Sequence, residues 1–313
     1  MMPSHSTETG LLLPSREALL WGNSDLAFVI EAARRAEKAG YDSVWAGDSL
    51  LARPRGEPLT LLAGVAGATS RVTLGTAVLL PLLRHPLSLA HALATLDRIA
   101  KGRVVVGIGP GAELPGTHAE LAALGIPSER RVGAMLAAIE RCQRLWRNEE
   151  PGLELQPRPV RPGGPPIWLG GSGPRMLRLA GERFDGWLPF SPTPAAYASG
   201  LRAVREAAER ADRDPDKVMT GAYLTVAVAN TPQEAARELE TYMQAYYGVP
   251  AAVMAKAQAC HTGTIESVSE WFAEYRSAGA RHLVVRLARP SLGDYNETAR
   301  ELLGAARGNV RTR

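Results

Sequence analysis

The chain is predicted to fold as an α/β protein in which eight strand–helix units close into a TIM barrel, with insertions after the fourth strand and before the last helix–strand unit. Three observations predict it. Its 313 residues suit one barrel with excursions, since such barrels run to roughly 250 residues or more. One layout returns three times: a helical pattern, a glycine, then a short apolar strand. It occurs at Ala36–Gly40 before Tyr41–Trp45, at Ile99–Gly102 before Arg103–Gly107, and at Tyr275–Gly279 before His282–Leu287. The strands themselves are β-branched and apolar without polar alternation, as parallel strands buried on both faces are. An open Rossmann-like sheet with a small second domain is the competing architecture, and the count of alternating units favours the closed ring.

In order along the chain, strands are expected near residues 10–14, 41–46, 72–79, 103–108, 166–170, 185–189, 218–229 and 282–287. Asp25 can cap a helix whose apolar face is Leu26, Val29, Ile30, Ala33 and Ala36. Pro58 and Pro86 stand where a first-turn proline is tolerated, and each opens a further helix. Residues 110–128 and 248–264 do not fit the simple unit and read as long loops or short extra helices, which makes them candidate lids. The expected domain runs over residues 10–305, between flexible tails at 1–9 and 306–313.

Composition excludes several function classes. With 45% hydrophobic and 22% charged residues the chain has enough apolar material for a sizeable core. No apolar run approaches the ~20 residues of a membrane span, and Met1–Thr9 lacks the pattern of a signal peptide. Cys142 and Cys260 give neither a disulfide framework nor metal-ligand spacing, so a cytoplasmic location and no metal are expected. The calculated pI is 9.2, yet the formal charge is only +4. Arginines alternate with acids, as in Glu31–Lys38, which describes a solvated helix face and argues against nucleic-acid binding.

Chemistry in such a barrel sits where the strands end. The fourth strand runs into Val106-Gly-Ile-Gly-Pro-Gly-Ala112, a superficial match to the dinucleotide fingerprint. That fingerprint must open a helix at once, whereas Pro115 and Gly116 are expected to break one. The other reading is that Gly107 and Gly109 let a flat ligand approach the backbone. Gly170-Gly171-Ser172-Gly173-Pro174 leads from the fifth strand into a helix and reads equally as an anion site or as a tight turn with a serine cap. His85 could be a base, but just before Pro86 it reads better as a helix-entry residue. Asp48 ends the second strand, where it could orient a partner or cap a turn. Ser49 could hydrogen-bond a cofactor or bound oxygen species, with no adjacent histidine to make it a nucleophile. Ser15 and Arg16, after the first strand, are rim contacts for a charged substrate or part of a solvated turn.

Taken together, these segments resemble a known family. Gly40-Tyr-Asp-Ser-Val-Trp-Ala-Gly-Asp48, Glu57-Pro-Leu-Thr-Leu-Leu62, Gly75-Thr-Ala-Val78, Arg84-His-Pro86, Ala94–Arg103, Gly107–Gly111, Pro166–Gly171 and Asp185-Gly-Trp187 follow one another as in the bacterial-luciferase-like monooxygenases. The resemblance spans roughly residues 10–290 and implies a cofactor lying across the strand ends. It implies a non-prolyl cis peptide at Ala77–Val78, within a Gly75–Val78 bulge whose Thr76, Ala77 and Val78 lie against the ring, and a cofactor phosphate near Gly170–Gly173. One departure stands out: many relatives carry a histidine where this chain has Ser49, so a general base is missing from its expected place.

The first expectation for function is an FMN-dependent monooxygenase acting on a small organic substrate with O2. Reducing equivalents would come from a separate flavin reductase or from NAD(P)H. The alternatives are hydride transfer with the deazaflavin coenzyme F-420, and a flavin-binding protein without catalysis. On either enzymatic reading the chemistry belongs to the cofactor and the protein orients it. A homodimer is expected from the resemblance, with Asp48 and Ser49 as candidate catalytic residues.

Overall fold

A computed structural model of the protein describes residues 7–308. Nine strands are present among them: β1 (Glu8–Leu12), β2 (Ser43–Ala46), β3 (Thr73–Thr76), β4 (Val104–Ile108), β5 (Ile167–Leu169), β6 (Gly186–Trp187), β7 (Met219–Val228), β8 (Ala259–Gly263) and β9 (His282–Leu287). The helices are α1 (Glu17–Leu20), α2 (Ala27–Ala39), α3 (Pro58–Ala68), α4 (Pro86–Ile99), α5 (Pro115–Ala123) and α6 (Arg131–Arg147). They continue with α7 (Pro174–Arg183), α8 (Pro194–Arg210), α9 (Pro232–Tyr247), α10 (Ala251–Met254), α11 (Ile265–Ser277) and α12 (Tyr295–Ala306).

Eight of the strands close into a parallel ring in the order β1-β2-β3-β4-β5-β6-β7-β9, with β9 returning to β1. This is the expected TIM barrel. The repeated helix–glycine–strand layout works as its chemistry requires: Gly40, Gly102 and Gly279 hold φ of 105°, 80° and 101°, in the left-handed region that side chains resist. Asp25 accepts the Ala27 N–H at 2.9 Å and so caps the entry to α2. His85 is exposed and precedes α4 as a helix-entry residue.

Three expectations need correction. Residues 259–263 form a strand, where a loop or extra helix was expected. β8 pairs with Leu224–Val228 of β7, beyond the point where Gly186–Trp187 of β6 stops pairing with the same edge. Helix α9 packs on β8, while α11 packs between α8 and α12, so α9, α10 and β8 form one insertion over the barrel mouth. Pro115 does not break a helix but opens α5 at its first turn, the position where a missing N–H costs nothing. The expected tails at 1–9 and 306–313 lie largely outside the described residues, and within them Glu8 and Thr9 pair in β1 and Ala306 ends α12.

Alternation along the strands decides what fills the ring. Trp45 and Trp168 point inward with centroids 5.3 Å apart, and the His282 ring packs edge-on at 5.5 and 5.4 Å from them. Ser43 Oγ accepts from Trp45 Nε1 at 2.6 Å and meets His282 Nε2 at 2.7 Å, so these three polar atoms satisfy one another inside the plug. Glycines make the room. A Cβ on Gly75 would lie 2.0 Å from the Trp45 ring, and one on Gly186 would lie 2.5 Å from that of Trp168. On β9, His282 belongs to the plug, Val284 packs above it, and Arg286 is the next inward position.

Gly75→Ala is expected to destabilise the protein by about 1–3 kcal/mol through overpacking against Trp45. Gly67→Ala, in open space on α3, is expected to stabilise it by about 0.4–1 kcal/mol. Urea unfolding of both variants checks this, and equal stability of the two would contradict the tryptophan plug.

Candidate active site

Above the plug, at the carboxyl ends of the strands, a cavity of about 530 Å³ opens. Its floor is apolar. Ala77 and Val78, joined by a cis peptide bond, leave β3 and lie beside Gly109, Gly170 and Leu188. A Cβ on Gly109 would come within 2.7 Å of Val78 Cγ2, and one on Gly170 within 3.1 Å of the Ile108 carbonyl. These glycines give the Val78 side chain room beside the strand ends. Gly171 (φ 111°) turns the chain toward α7, whose N-terminus carries no side-chain cap. Leu114, Thr117 and Glu120 from the α5 segment and Val253, Met254 and Ala257 from the α10 segment also line the cavity.

Both expected catalytic residues line this cavity, but their polar atoms are already engaged. Asp48 receives Arg84 Nη1 on Oδ2 at 2.6 Å, Nη2 on Oδ1 at 3.1 Å, and the Leu80 N–H at 2.9 Å. Arg84 also reaches Glu57 at 2.6 Å. Burial works to raise the Glu57 carboxyl, yet the Thr60 N–H and Arg84 hold it below its ordinary value. Ser49 donates to Glu120 at 3.2 Å and accepts the Arg53 N–H at 2.9 Å. The same Glu120 carboxylate accepts the N–H groups of Leu50 and Leu51, which ties the loop after β2 to α5. Asp48 and Ser49 therefore hold the mouth in shape.

The remaining expectations divide. Ala77, Val78, Gly109, Gly170 and Gly171 come together in the floor. Thr76 and Gly107 do not line it: the Thr76 hydroxyl donates to the Gly107 carbonyl at 2.7 Å, and a Cβ on Gly107 would meet the Thr76 carbonyl at 2.1 Å. Gly107 thus makes room for the neighbouring strand rather than for a ligand. Ser172 and Gly173 are exposed at the start of α7, outside the lining, with Ser172 donating to the Phe190 carbonyl at 2.9 Å. Ser15 and Arg16 are buried and also outside it. Arg16 instead braces α9, donating to the Tyr246 carbonyl at 3.1 Å, so neither serves as a rim contact.

Sequence reading missed the polar wall of the cavity. Arg53, Arg55 and Arg286 line it together with Tyr223, Tyr246 and Tyr247. Arg55 donates to the Tyr246 hydroxyl at 3.0 Å, and the Arg53 guanidinium lies 5.1 Å from the Tyr247 ring. One signal was available: Arg286 is a lone charge in the apolar strand His282–Leu287, near its carboxyl end, where barrel chemistry is found. Tyr223 comes from β7, and Tyr246 and Tyr247 come from the end of α9, whose fold over the mouth depends on long-range packing.

Arg84→Met is expected to cost about 3–5 kcal/mol, because it leaves the Asp48 carboxylate buried without its partner. Urea unfolding reads the loss, and a change below about 1 kcal/mol would place the pair among weak surface bridges.

The family model described as luciferase-like monooxygenase matches residues 7–282. An F420-dependent glucose-6-phosphate dehydrogenase from Nakamurella multipartita is 34% identical over 218 residues, covering 64% of this chain and 62% of that protein. A phthiodiolone/phenolphthiodiolone dimycocerosates ketoreductase from a Mycobacterium species (strain JLS) is 31% identical over 210 residues, covering 62% of this chain and 54% of that protein. The chain thus spans less than two thirds of the length of these curated relatives. The solved structure of an F420-dependent secondary alcohol dehydrogenase with an F420-acetone adduct superimposes with a TM-score of 0.79 at 20% identity, over 96% of this chain and 99% of that one. At that identity the likeness shows the fold. The family match covers most of the chain, and the protein belongs to the luciferase-like monooxygenase family.

Proposed function

We propose that the protein is an oxidoreductase that transfers hydride between the deazaflavin coenzyme F-420 and a small organic substrate. The observation that carries this reading is the apolar floor of Ala77, Val78, Gly109 and Gly170 at the barrel mouth, where two glycines leave room for a ring. The choice of deazaflavin over FMN rests on the relatives at 31–34% identity, whose names describe an F420-dependent dehydrogenase and a ketoreductase. The group itself would supply the hydride chemistry when bound.

The chain's own residues have distinct tasks on this reading. Ala77 and Val78 would carry the ring, and Gly170–Gly171 with the uncapped start of α7 would leave N–H groups open toward a phosphate. Asp48 and Ser49 act as positioning residues, through Arg84 and Glu120 respectively. Tyr223 lines the cavity from β7, and burial holds its phenol well above the ordinary tyrosine value. It keeps its proton and can donate a hydrogen bond to a substrate oxygen.

A second reading, the FMN-dependent oxygenase using O2 with a flavin reductase or NAD(P)H, draws support from the two insertions. The α5 and α10 segments roof the mouth, and an oxygen-using site benefits from excluding water. The reading includes a cytoplasmic homodimer, an expectation that rests on cysteine usage and on the family resemblance.

Fluorescence titration of the purified protein with coenzyme F-420 and with FMN separates the two. The deazaflavin is expected to bind at least about tenfold tighter, and tighter FMN binding would reinstate the oxygenase. Val78→Trp, which fills the floor, is expected to weaken binding of either cofactor at least about tenfold. Unchanged affinity in a folded Val78→Trp variant would move the ring away from this floor.

A further inference from the structure

Arg286 is the inward side chain of β9 nearest the mouth, and it is 1% exposed. Its Nε donates to Thr225 Oγ1 at 3.1 Å and its Nη1 to the Tyr247 hydroxyl at 2.7 Å. Its Nη2 has no acceptor among the described residues, although the side chain lines the cavity. No described carboxylate forms an ion pair with it. The contrast with Arg84 is direct, since the fold meets that cation with both Asp48 and Glu57.

Aromatic rings supply part of the compensation. The guanidinium carbon lies 4.9 Å from the Tyr246 ring centroid, 5.3 Å from that of Tyr247, 5.5 Å from Tyr223 and 5.7 Å from Tyr242. Such contacts offset some of the desolvation of a buried cation, but they leave the Nη2 donor unused. Beside it stands a second under-used donor. Gln258 is 2% exposed and lines the same cavity, and its Nε2 faces only sulfur atoms, Cys260 Sγ at 3.4 Å and Met243 Sδ at 3.9 Å. Sulfur is a weak acceptor. Arg53 and Arg55 add positive charge to the same wall, with the buried Glu17 carboxylate among the charges acting on Arg55.

We propose that this wall is the docking site for a carboxylate on the substrate, received by Arg286 Nη2 and Gln258 Nε2 between the tyrosine rings. A buried donor that stays unpaired is costly, so Arg286 Nη2, with Gln258 Nε2 held only by weak sulfur acceptors in the same cavity lining, favours an anion at this arginine-bearing wall. Two donors suit a planar group with two oxygens, whereas a tetrahedral dianion calls for more. The proposal rests on the reading that the cofactor ring occupies the Ala77–Val78 floor. β9 is separated from β3 around the ring by β1 and β2. Arg286 and the Ala77–Val78 floor line the same cavity, so a substrate held at Arg286 shares it with a ring on the floor.

Calorimetric titration of the cofactor-loaded protein with benzoate, benzamide and phenyl phosphate tests this. Benzoate is expected to bind at least about tenfold tighter than either of the others. Arg286→Gln is expected to abolish that preference, with Arg286→Lys retaining part of it and cofactor affinity unchanged in both. Equal binding of benzoate and benzamide, a preference for phenyl phosphate, or no benzoate binding would overturn the proposal. Loss of cofactor affinity in Arg286→Gln would overturn it too, by assigning the arginine to the cofactor. If Arg286→Gln does not fold, the wild-type preference and the Arg286→Lys variant decide. A parallel titration of the cofactor-free protein keeps the two readings apart: selectivity for benzoate with no affinity for deazaflavin or FMN would refute the functional reading alone.

Discussion

Packing of Trp45 against Trp168 inside the barrel sets the level at which everything else occurs. The two rings and His282 occupy the lower interior, and the strands around them carry glycine where a side chain would collide. Space for a ligand is then left only toward the carboxyl ends. The same strands that hold the plug below carry the floor and the wall above: β3 continues into Ala77–Val78, and β9 continues from His282 through Val284 to Arg286. A close-packed lower barrel transmits little freedom to the strand ends, which gives a site on this scaffold its precision.

The mouth separates two kinds of buried polar group. Asp48, Glu57 and Arg84 neutralise one another, and Ser49 with Glu120 anchors the α5 insertion to the loop after β2. These groups are satisfied within the protein and serve its shape. Arg286 and Gln258 are buried as deeply, yet their spare donors meet nothing or only sulfur. Among the groups that line the cavity, that difference in satisfaction sets Arg286 and Gln258 apart from those that serve its shape.

Much of this was legible in the sequence. The helix–glycine–strand repeat announced the barrel because the left-handed cap is a local requirement, written in one residue at Gly40, Gly102 and Gly279. The floor was legible through the ordered motifs that include Ala77–Val78 and Gly170–Gly171. What escaped depended on contacts distant in the chain. Gly107 looked like ligand space because its actual neighbour, the Thr76 carbonyl, lies 31 residues away. The Ala259–Gly263 strand was hidden because only its pairing with the far end of β7 defines it. Ser15 and Arg16 follow a strand end as rim residues do, but α9 folds over them and takes Arg16 into its own support. Pro115 was misjudged on composition, since proline both ends helices and opens them.

Hydrogen exchange of the backbone with and without coenzyme F-420 tests most directly whether the barrel mouth is the cofactor site. Slowed exchange confined to Val78–Leu80, Gly109–Ala112 and Gly170–Gly171 is the result expected. Protection on the outer helices alone, or an unchanged pattern at saturating cofactor, would contradict it.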